Sequence, residues 1–297
     1  MAVTAQEVQK LREMTGAGIL DCQKALLSTS GSVDKAIQFL REKGKASAQT
    51  KAGRSAGQGA IVSWISEDGK AGSLIELNCE TDFVARTKDF QDLALQIATA
   101  AAKNKVQSVE DLLKQKQSSS SETLESLIKE KIGKLGENMV LKRVKSFGSE
   151  SSQVGNYIHS PFENALYCGR LGVLLEVNTE LKGAPLSEIL KEVSMQIAAT
   201  APRWIKKEDI PSEMVEKEKA IYLEQCKQMG KPEVAWPKIM DGKFKDFYKQ
   251  FCLLEQNHVR DTSGKTSVQS YIESASKPLG APLSIVSMVR FKVGEDS

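Results

Sequence analysis

One pattern recurs along this chain at a constant offset of 100 positions. Gly72, Leu74, Glu76, Asn78 and Glu80 return as Gly172, Leu174, Glu176, Asn178 and Glu180. The block Leu95–Ala101 returns as Met195–Ala201, at the same distance from its strand pattern. So long a constant spacing, with strand and helix signals in step, argues for a tandem duplication. A fold built from such a chain must house two copies of one α+β unit, each reading strand, strand, helix, further helix, strand. The closing strands are expected at Met139–Phe147 and Leu283–Val293.

Local chemistry sharpens the elements. Residues 60–65 and 73–78 alternate with period two around Glu67-Asp68-Gly69-Lys70, and Asp-Gly is a strong hairpin signal. A helix with Phe83, Phe90, Leu93, Ile97 and Ala101 on one face should follow. Helical segments around Leu112 and over 124–132 come next, separated by the polar run Ser118–Ser121. In the closing strand, Met139, Leu141, Arg143, Lys145 and Phe147 alternate with Val140, Lys142, Val144 and Ser146.

Ahead of the repeat lie three short helical patterns. Thr4 with Glu7 forms a capping box, and Val3 with Val8 occupies the staple positions. The first helix carries Val8, Leu11 and Met14 and ends at Thr15-Gly16-Ala17-Gly18. The second carries Ile19, Cys22 and Leu26, and the third Val33, Ile37 and Leu40. Residues 47–59 contain no large apolar side chain and read as a flexible linker. The expected units are therefore 1–46, the linker 47–59, a first half-domain 60–148 and a second 149–297. An insertion over 212–256 reads as two antiparallel helices. Val215, Tyr222, Cys226 and Met229 mark one limb; Phe244, Phe247, Phe251 and Leu254 mark the other. Trp236-Pro237 must bend or restart the second limb, since an interior proline costs about 3 kcal/mol.

Composition narrows the function. Lys plus Arg number 41 against 38 Asp plus Glu, a net charge of +3 over 297 residues, without the basic excess that a phosphate-backbone binder needs. No direct nucleic-acid binding is expected. The five cysteines have no metal-ligand or disulfide-framework spacing and read as buried free thiols in a reducing compartment. The first thirty residues hold Glu7, Glu13 and Asp21 and no apolar run, which points to the cytoplasm and away from membranes. With His159 and His258 the only histidines, proton-transfer chemistry is weakly supplied. Gly264-Lys265-Thr266 imitates the end of a phosphate loop, but Val259 stands where the first glycine belongs. Gly16-Ala17-Gly18 and Gly57-Gln58-Gly59 lack a dinucleotide fingerprint. No catalytic residue, cofactor or metal is expected.

The segment Thr81-Asp82-Phe83-Val84 stands out. Thr81 or Asp82 can cap the following helix. Phe83 could be its first core residue, yet the second copy has Gly183 in its place and keeps the helix beyond. A Phe needed by the half-domain core should have an apolar counterpart.

The residues Leu11-Arg12-Glu13-Met14-Thr15-Gly16-Ala17-Gly18-Ile19-Leu20-Asp21-Cys22-Gln23-Lys24-Ala25-Leu26 closely resemble bacterial elongation factor Ts, the guanine-nucleotide exchange factor of elongation factor Tu. So do Asn78-Cys79-Glu80-Thr81-Asp82-Phe83-Val84-Ala85 and Ile132-Gly133-Lys134-Leu135-Gly136-Glu137-Asn138. The resemblance implies a ubiquitin-associated-like (UBA-like) three-helix domain, a two-part α+β core and a coiled-coil hairpin. It implies that Thr81, Asp82, Phe83 and Val84 enter the nucleotide domain of elongation factor Tu and disturb its Mg²⁺ and phosphate site. It also implies an N-terminal clamp at Leu11, Arg12, Gly16, Gly18, Ile19 and Leu20, with the GDP-bound and nucleotide-free partner as targets. Two departures are the long loop over 160–168 and an ending at Gly294-Glu295-Asp296-Ser297, where some family members continue into another helical module. Self-association through the core or the hairpin is an open alternative for assembly. A different class of function would be a ubiquitin-like or RNA-associated adaptor, and GDP release from elongation factor Tu separates the two.

Overall fold

The computed structural model describes residues 3–116, 122–230 and 232–295; the polar run Ser118–Ser121, Lys231 and the terminal Asp296-Ser297 fall outside them. The architecture is α+β. Helices α1 (Ala5–Thr15), α2 (Ile19–Ser28) and α3 (Val33–Lys51) come first. The Thr4–Glu7 capping box forms as expected, with the Thr4 amide 2.8 Å from the Glu7 carboxylate. The first half follows as β1 (Gln58–Ile65), β2 (Gly72–Cys79), α4 (Asp82–Ala85), α5 (Lys88–Lys103), α6 (Val109–Lys114), α7 (Leu124–Leu135) and β3 (Met139–Phe147). The second half is β4 (Ser152–His159), β5 (Cys168–Gly169), β6 (Leu171–Thr179), α8 (Ala184–Thr200), α9 (Ser212–Gln228), α10 (Trp236–Phe251), α11 (Val268–Ser276) and β7 (Leu283–Lys292).

Two antiparallel sheets result, ordered β3-β2-β1-β5 and β4-β6-β7. The duplication is visible in backbone detail. β2 and β3 slip register between Glu76 and Leu77, and β6 and β7 slip between Glu176 and Val177, the same point of the repeat. The sheets pack face to face through Ile61, Leu74 and Phe147 from one and Val154, Ile158, Leu174 and Phe291 from the other. Each outer face is covered by helices. α5 and α7 close over Val62, Ile75 and Leu77, while α8 and α11 close over Val173, Leu175 and Val177.

The slip changes which β3 residues share a face. Lys142 is the extra residue, so Met139, Leu141 and Val144 point together into the first core while Phe147 joins the inter-sheet layer. The simple alternation expected from sequence therefore breaks at Lys142, as a bulge requires. The expected single helix after β2 is also two: Thr87 N-caps α5, accepting from the Phe90 amide at 3.3 Å, and leaves Phe83 on a separate turn.

Two boundaries differ from expectation. Residues 47–51, read as linker, continue α3, and Ala48 is buried in the first core. The small residues there serve close packing. α3 runs against α7, where a Cβ on Gly133 would collide with the Cα of Gly44. The hairpin insertion also ends sooner than 256. Leu253 is fully buried in the second core, and Gln256 accepts from Gln196 at 3.0 Å and Thr200 at 2.7 Å. Residues 162–168 belong to the first core although they follow β4, because Cys168-Gly169 adds a short strand to β1. Pro237 sits in the first turn of α10, so the second limb restarts there.

Gly72 and Gly172 mark the tightest inter-sheet contact. A Cβ on Gly172 would lie 2.7 Å from Ile61 and 3.0 Å from Leu74; one on Gly72 would lie 2.6 Å from Val154 and 3.2 Å from Leu174. Gly172→Ala should lower the unfolding free energy by about 1–3 kcal/mol through overpacking, measured by denaturant titration. Gly242→Ala, which meets open space within α10, should instead raise it by about 0.5–1 kcal/mol; equal effects would refute the close-approach argument.

The distal hairpin packs on itself through the Tyr222–Phe244 ring pair, 5.1 Å apart. Its base is held by Ile210, Phe247 and Cys252. Replacing residues 219–243 by a short loop should leave the core transition cooperative and its midpoint nearly unchanged. Replacing 213–256 should destabilise the core, because Leu253 and Gln256 leave with it.

Candidate partner-docking site

The turn from β2 into α5 is built to hold one short helix. Thr81 is extended (φ −127°, ψ 155°) and N-caps α4, accepting from the Val84 amide at 3.4 Å. Its own amide and hydroxyl both donate to the Glu137 carboxylate, at 3.0 and 2.6 Å. One residue earlier, the Glu80 carboxylate accepts from the Asn138 amide at 2.7 Å. Asn138, buried, donates its side-chain amide to the Arg54 carbonyl at 2.8 Å. The Thr81 and Glu137 motifs, far apart in sequence, thus meet as one cross-strapped corner.

Cys79 completes it from below, its thiol 3.0 Å from the Thr81 carbonyl. Burial, reinforced by the Glu137 charge, pushes that thiol up to about 12, so it acts as a hydrogen-bond donor and an inert packing group. All five cysteines are buried and unpaired.

On this base Ala85 is fully buried, Val84 is half-buried against the first core, and Phe83 is 79% exposed. Asp82 pairs with Arg86 at 3.7 Å on the same turn. Gly183 in the second copy opens α8 directly with φ +74° and open space around it, with no counterpart of α4. Phe83 is therefore a large aromatic side chain that faces solvent and takes no part in the core packing.

The N-terminal residues sort differently. Leu11 is fully buried in the three-helix core. Its side chain packs against Cys22, Ala25 and Leu26 in that cluster and is not exposed. The Arg12 carbonyl accepts from the amide of Gly16, which takes the left-handed conformation at φ +66° and ends α1. Gly18 N-caps α2. Beside them Met14, Ile19 and Leu20 are 57%, 54% and 69% exposed, so Met14 and Ile19 lie off the core stripes assigned to them by periodicity. The two sites are tied together through α7. Lys134 reaches over Gly16, where a Cβ would collide with its ammonium end, and it also pairs with Asp89 at 2.9 Å. Lys131 pairs with the same carboxylate at 3.0 Å. Burial opposes ionisation of Asp89, but the two lysines win and hold its carboxyl below the usual range.

Glu137, Asn138 and Glu80 are the residues that sequence reasoning did not assign a role. Their contacts are tertiary, and only the presence of a carboxylate and an amide directly after the Gly136 helix stop hinted at them. Among the described residues no group of three or more His, Cys, Asp or Glu could hold a metal ion, and no helix is long and apolar enough to cross a membrane.

The fold is thus a duplicated α+β core with an N-terminal helical unit and two turns that carry exposed apolar side chains. Comparison with known proteins makes this specific. The family model for elongation factor TS matches residues 80–295. Elongation factor Ts of Clostridium perfringens (strain SM101) is 43% identical over 293 residues, covering 99% of this chain and 93% of the relative. That of Clostridium botulinum (strain Eklund 17B) is 40% identical over 293 residues, with 99% and 93% covered. That of Trichlorobacter lovleyi is 38% identical over 300 residues, with 99% and 94% covered. The chain belongs to the elongation factor Ts family and is a translation elongation factor.

Glu137→Ala should free α4 while the sheets stay folded. Loss of two hydrogen bonds to a carboxylate should cost about 1–3 kcal/mol locally, read as faster hydrogen exchange at the Thr81 and Val84 amides. Unchanged protection at both would show that α4 is held by its own capping alone.

Proposed function

We propose that this chain binds elongation factor Tu, GDP-bound and nucleotide-free, and promotes exchange of GDP for GTP. In this reading Thr81, Asp82, Phe83 and Val84 enter the nucleotide domain of the partner, with Phe83 wedged between its elements, and disturb the Mg²⁺ and phosphate site. Arg12, Gly16, Gly18, Ile19 and Leu20 form the N-terminal clamp, with Leu11 as its buried support. The three-helix unit is then a UBA-like module, α9 and α10 a coiled-coil arm peripheral to exchange, and the cytoplasm the place of action.

The observation that carries this reading is the 79% exposure of Phe83 on a turn whose base, Thr81, is strapped to Glu137 by two hydrogen bonds. The backbone that carries this side chain is already ordered, so that part of the ordering cost is met before binding. Full burial of one Phe is worth roughly 1.5–3 kcal/mol, about ten- to more than a hundredfold in an equilibrium constant. That is one main contributor to nucleotide release, with the clamp supplying further affinity.

No covalent step and no cofactor on this chain are needed. If the factor weakens GDP on its partner, GDP must weaken the factor by the same ratio. The cycle then closes when GTP arrives, driven by nucleotide concentrations.

Phe83→Ala should slow stimulated GDP release at least about tenfold while changing the unfolding free energy by well under 1 kcal/mol, as for ordinary surface positions. The pair of measurements is denaturant unfolding and release of labelled GDP from Mg²⁺-loaded elongation factor Tu. Normal release per folded molecule would leave the wedge reading without its central residue. Gly183→Phe should not restore release to the Phe83→Ala protein, because α8 begins there without a short presenting helix.

A further inference from the structure

The loop Ser160–Cys168 carries the second most conspicuous apolar side chain of the core. Leu166 is 81% exposed, while Ala165 and Cys168 on either side of it are fully buried. A lone exposed leucine is ordinary. What distinguishes this one is how firmly the loop around it is held. The Phe162 amide donates to the Cys168 carbonyl at 2.8 Å, the Ala165 amide to Phe162 at 3.0 Å, and the Cys168 amide to Ala165 at 2.9 Å. The Tyr167 carbonyl accepts from the Ser63 amide of β1 at 3.0 Å. Ser160 adopts left-handed backbone at φ +47°, which serine rarely keeps unless its surroundings hold it, and Asn164 turns the chain at φ +63°, where asparagine is at ease. The loop is therefore rigid, and its tip is apolar.

This loop is also continuous with the Phe83 turn. Arg86, on the last turn of α4, lays its guanidinium 4.9 Å over the Phe162 ring and reaches back to Asp82 at 3.7 Å. Phe162 and Tyr167 pack against the same core that seats Val84. A surface that accepts Phe83 and covers Asp82 therefore meets Arg86 and then the 160–168 loop.

Resting on the exchange reading above, we infer that the 160–168 loop is a second contact element for the same partner, elongation factor Tu. Leu166 is its apolar tip and Arg86 is the joint that sets its position relative to Phe83. The loop adds affinity and selectivity rather than the wedge action itself. Partners with a polar surface beside the Phe83 pocket are discriminated against, because Leu166 would take their polar groups out of water and leave them unpaired.

The test uses the full chain with Leu166→Ala and Leu166→Asp, measuring equilibrium binding to nucleotide-free elongation factor Tu, thermal unfolding of each variant alone, and Phe83→Ala in parallel. The expected result is binding weakened about tenfold by Leu166→Ala and further by Leu166→Asp, with unfolding temperatures unchanged. Both Leu166 variants binding like the parent, while Phe83→Ala still slows GDP release, would overturn the second contact and leave the exchange reading standing. Should Phe83→Ala leave release unchanged, the exchange reading falls and this inference falls with it.

Discussion

The contact that everything else in this molecule is arranged around is the close approach of two sheets at Gly72 and Gly172. The relation is reciprocal: a side chain on Gly72 would strike Leu174, and one on Gly172 would strike Leu74. The four residues are two copies of one pair, so each half-domain supplies both the gap and the side chain that fills the other's gap. Neither half can bury its inner face alone, because that face is the partner face of its copy. Once the inner faces are spent on each other, the helices must cover the outer faces, and the result is a helix–sheet–sheet–helix stack. A buried charge pair spans the join. Glu76, fully buried, meets Arg143 at 2.5 Å, while Arg143 donates to the Lys292 carbonyl of the second sheet at 3.0 Å and lies over the Phe291 ring. Breaking one member would strand the other in a dry site.

That symmetry is what makes its failure informative. β2 and β6 match residue for residue through the bulge, and both lead into a long helix on an outer face. Directly after the strand they part. The first copy breaks its helix at Arg86-Thr87, so that Asp82–Ala85 stand as a separate turn before α5; the second passes through Leu181-Lys182-Gly183 straight into α8, whose first turn occupies the equivalent positions. Two copies that share a packing problem need the same packing residues. A turn set apart in one copy only, with Phe83 exposed at its apex, is not required by the packing the two copies share.

What the sequence reveals divides along the range of the interactions involved. The hairpin at Asp68-Gly69, the Thr4 cap, the β3 limits and the Gly16 stop are all legible, because each depends on chemistry within a few residues. The Phe83 argument is legible too, since it compares two copies and needs no coordinates. Residues 47–51 mislead because Ala, Gly and Ser suit both a flexible tether and a tight helix crossing. Only the position of α7 decides for the crossing, with Gly44 against Gly133. The bulge at Lys142 is hidden because an inserted residue leaves composition unchanged and reverses only the alternation after it. Glu137 is illegible for the plainest reason: its partner, Thr81, is 56 positions away.

α7 gives these separate features a common frame. One end of the helix leads through Gly136 to Glu137 and Asn138, which fix the Thr81 turn, and its last turn carries Lys134 over Gly16. Along its length it receives α3 through the glycine crossing. The exposed Phe83 and the exposed Ile19 and Leu20 are therefore mounted on one rigid beam, and the distance between them is set by packing and not by the length of a tether. In the proposed exchange reading, two contact elements fixed in this way bind as a unit. Once one is seated, the other is already at its place, and the second contact costs little further loss of freedom. A flexible linker in the same position would have spread the N-terminal unit over a wide volume and diluted that advantage. The small residues of α3 thus hold the two exposed apolar turns on one packed frame.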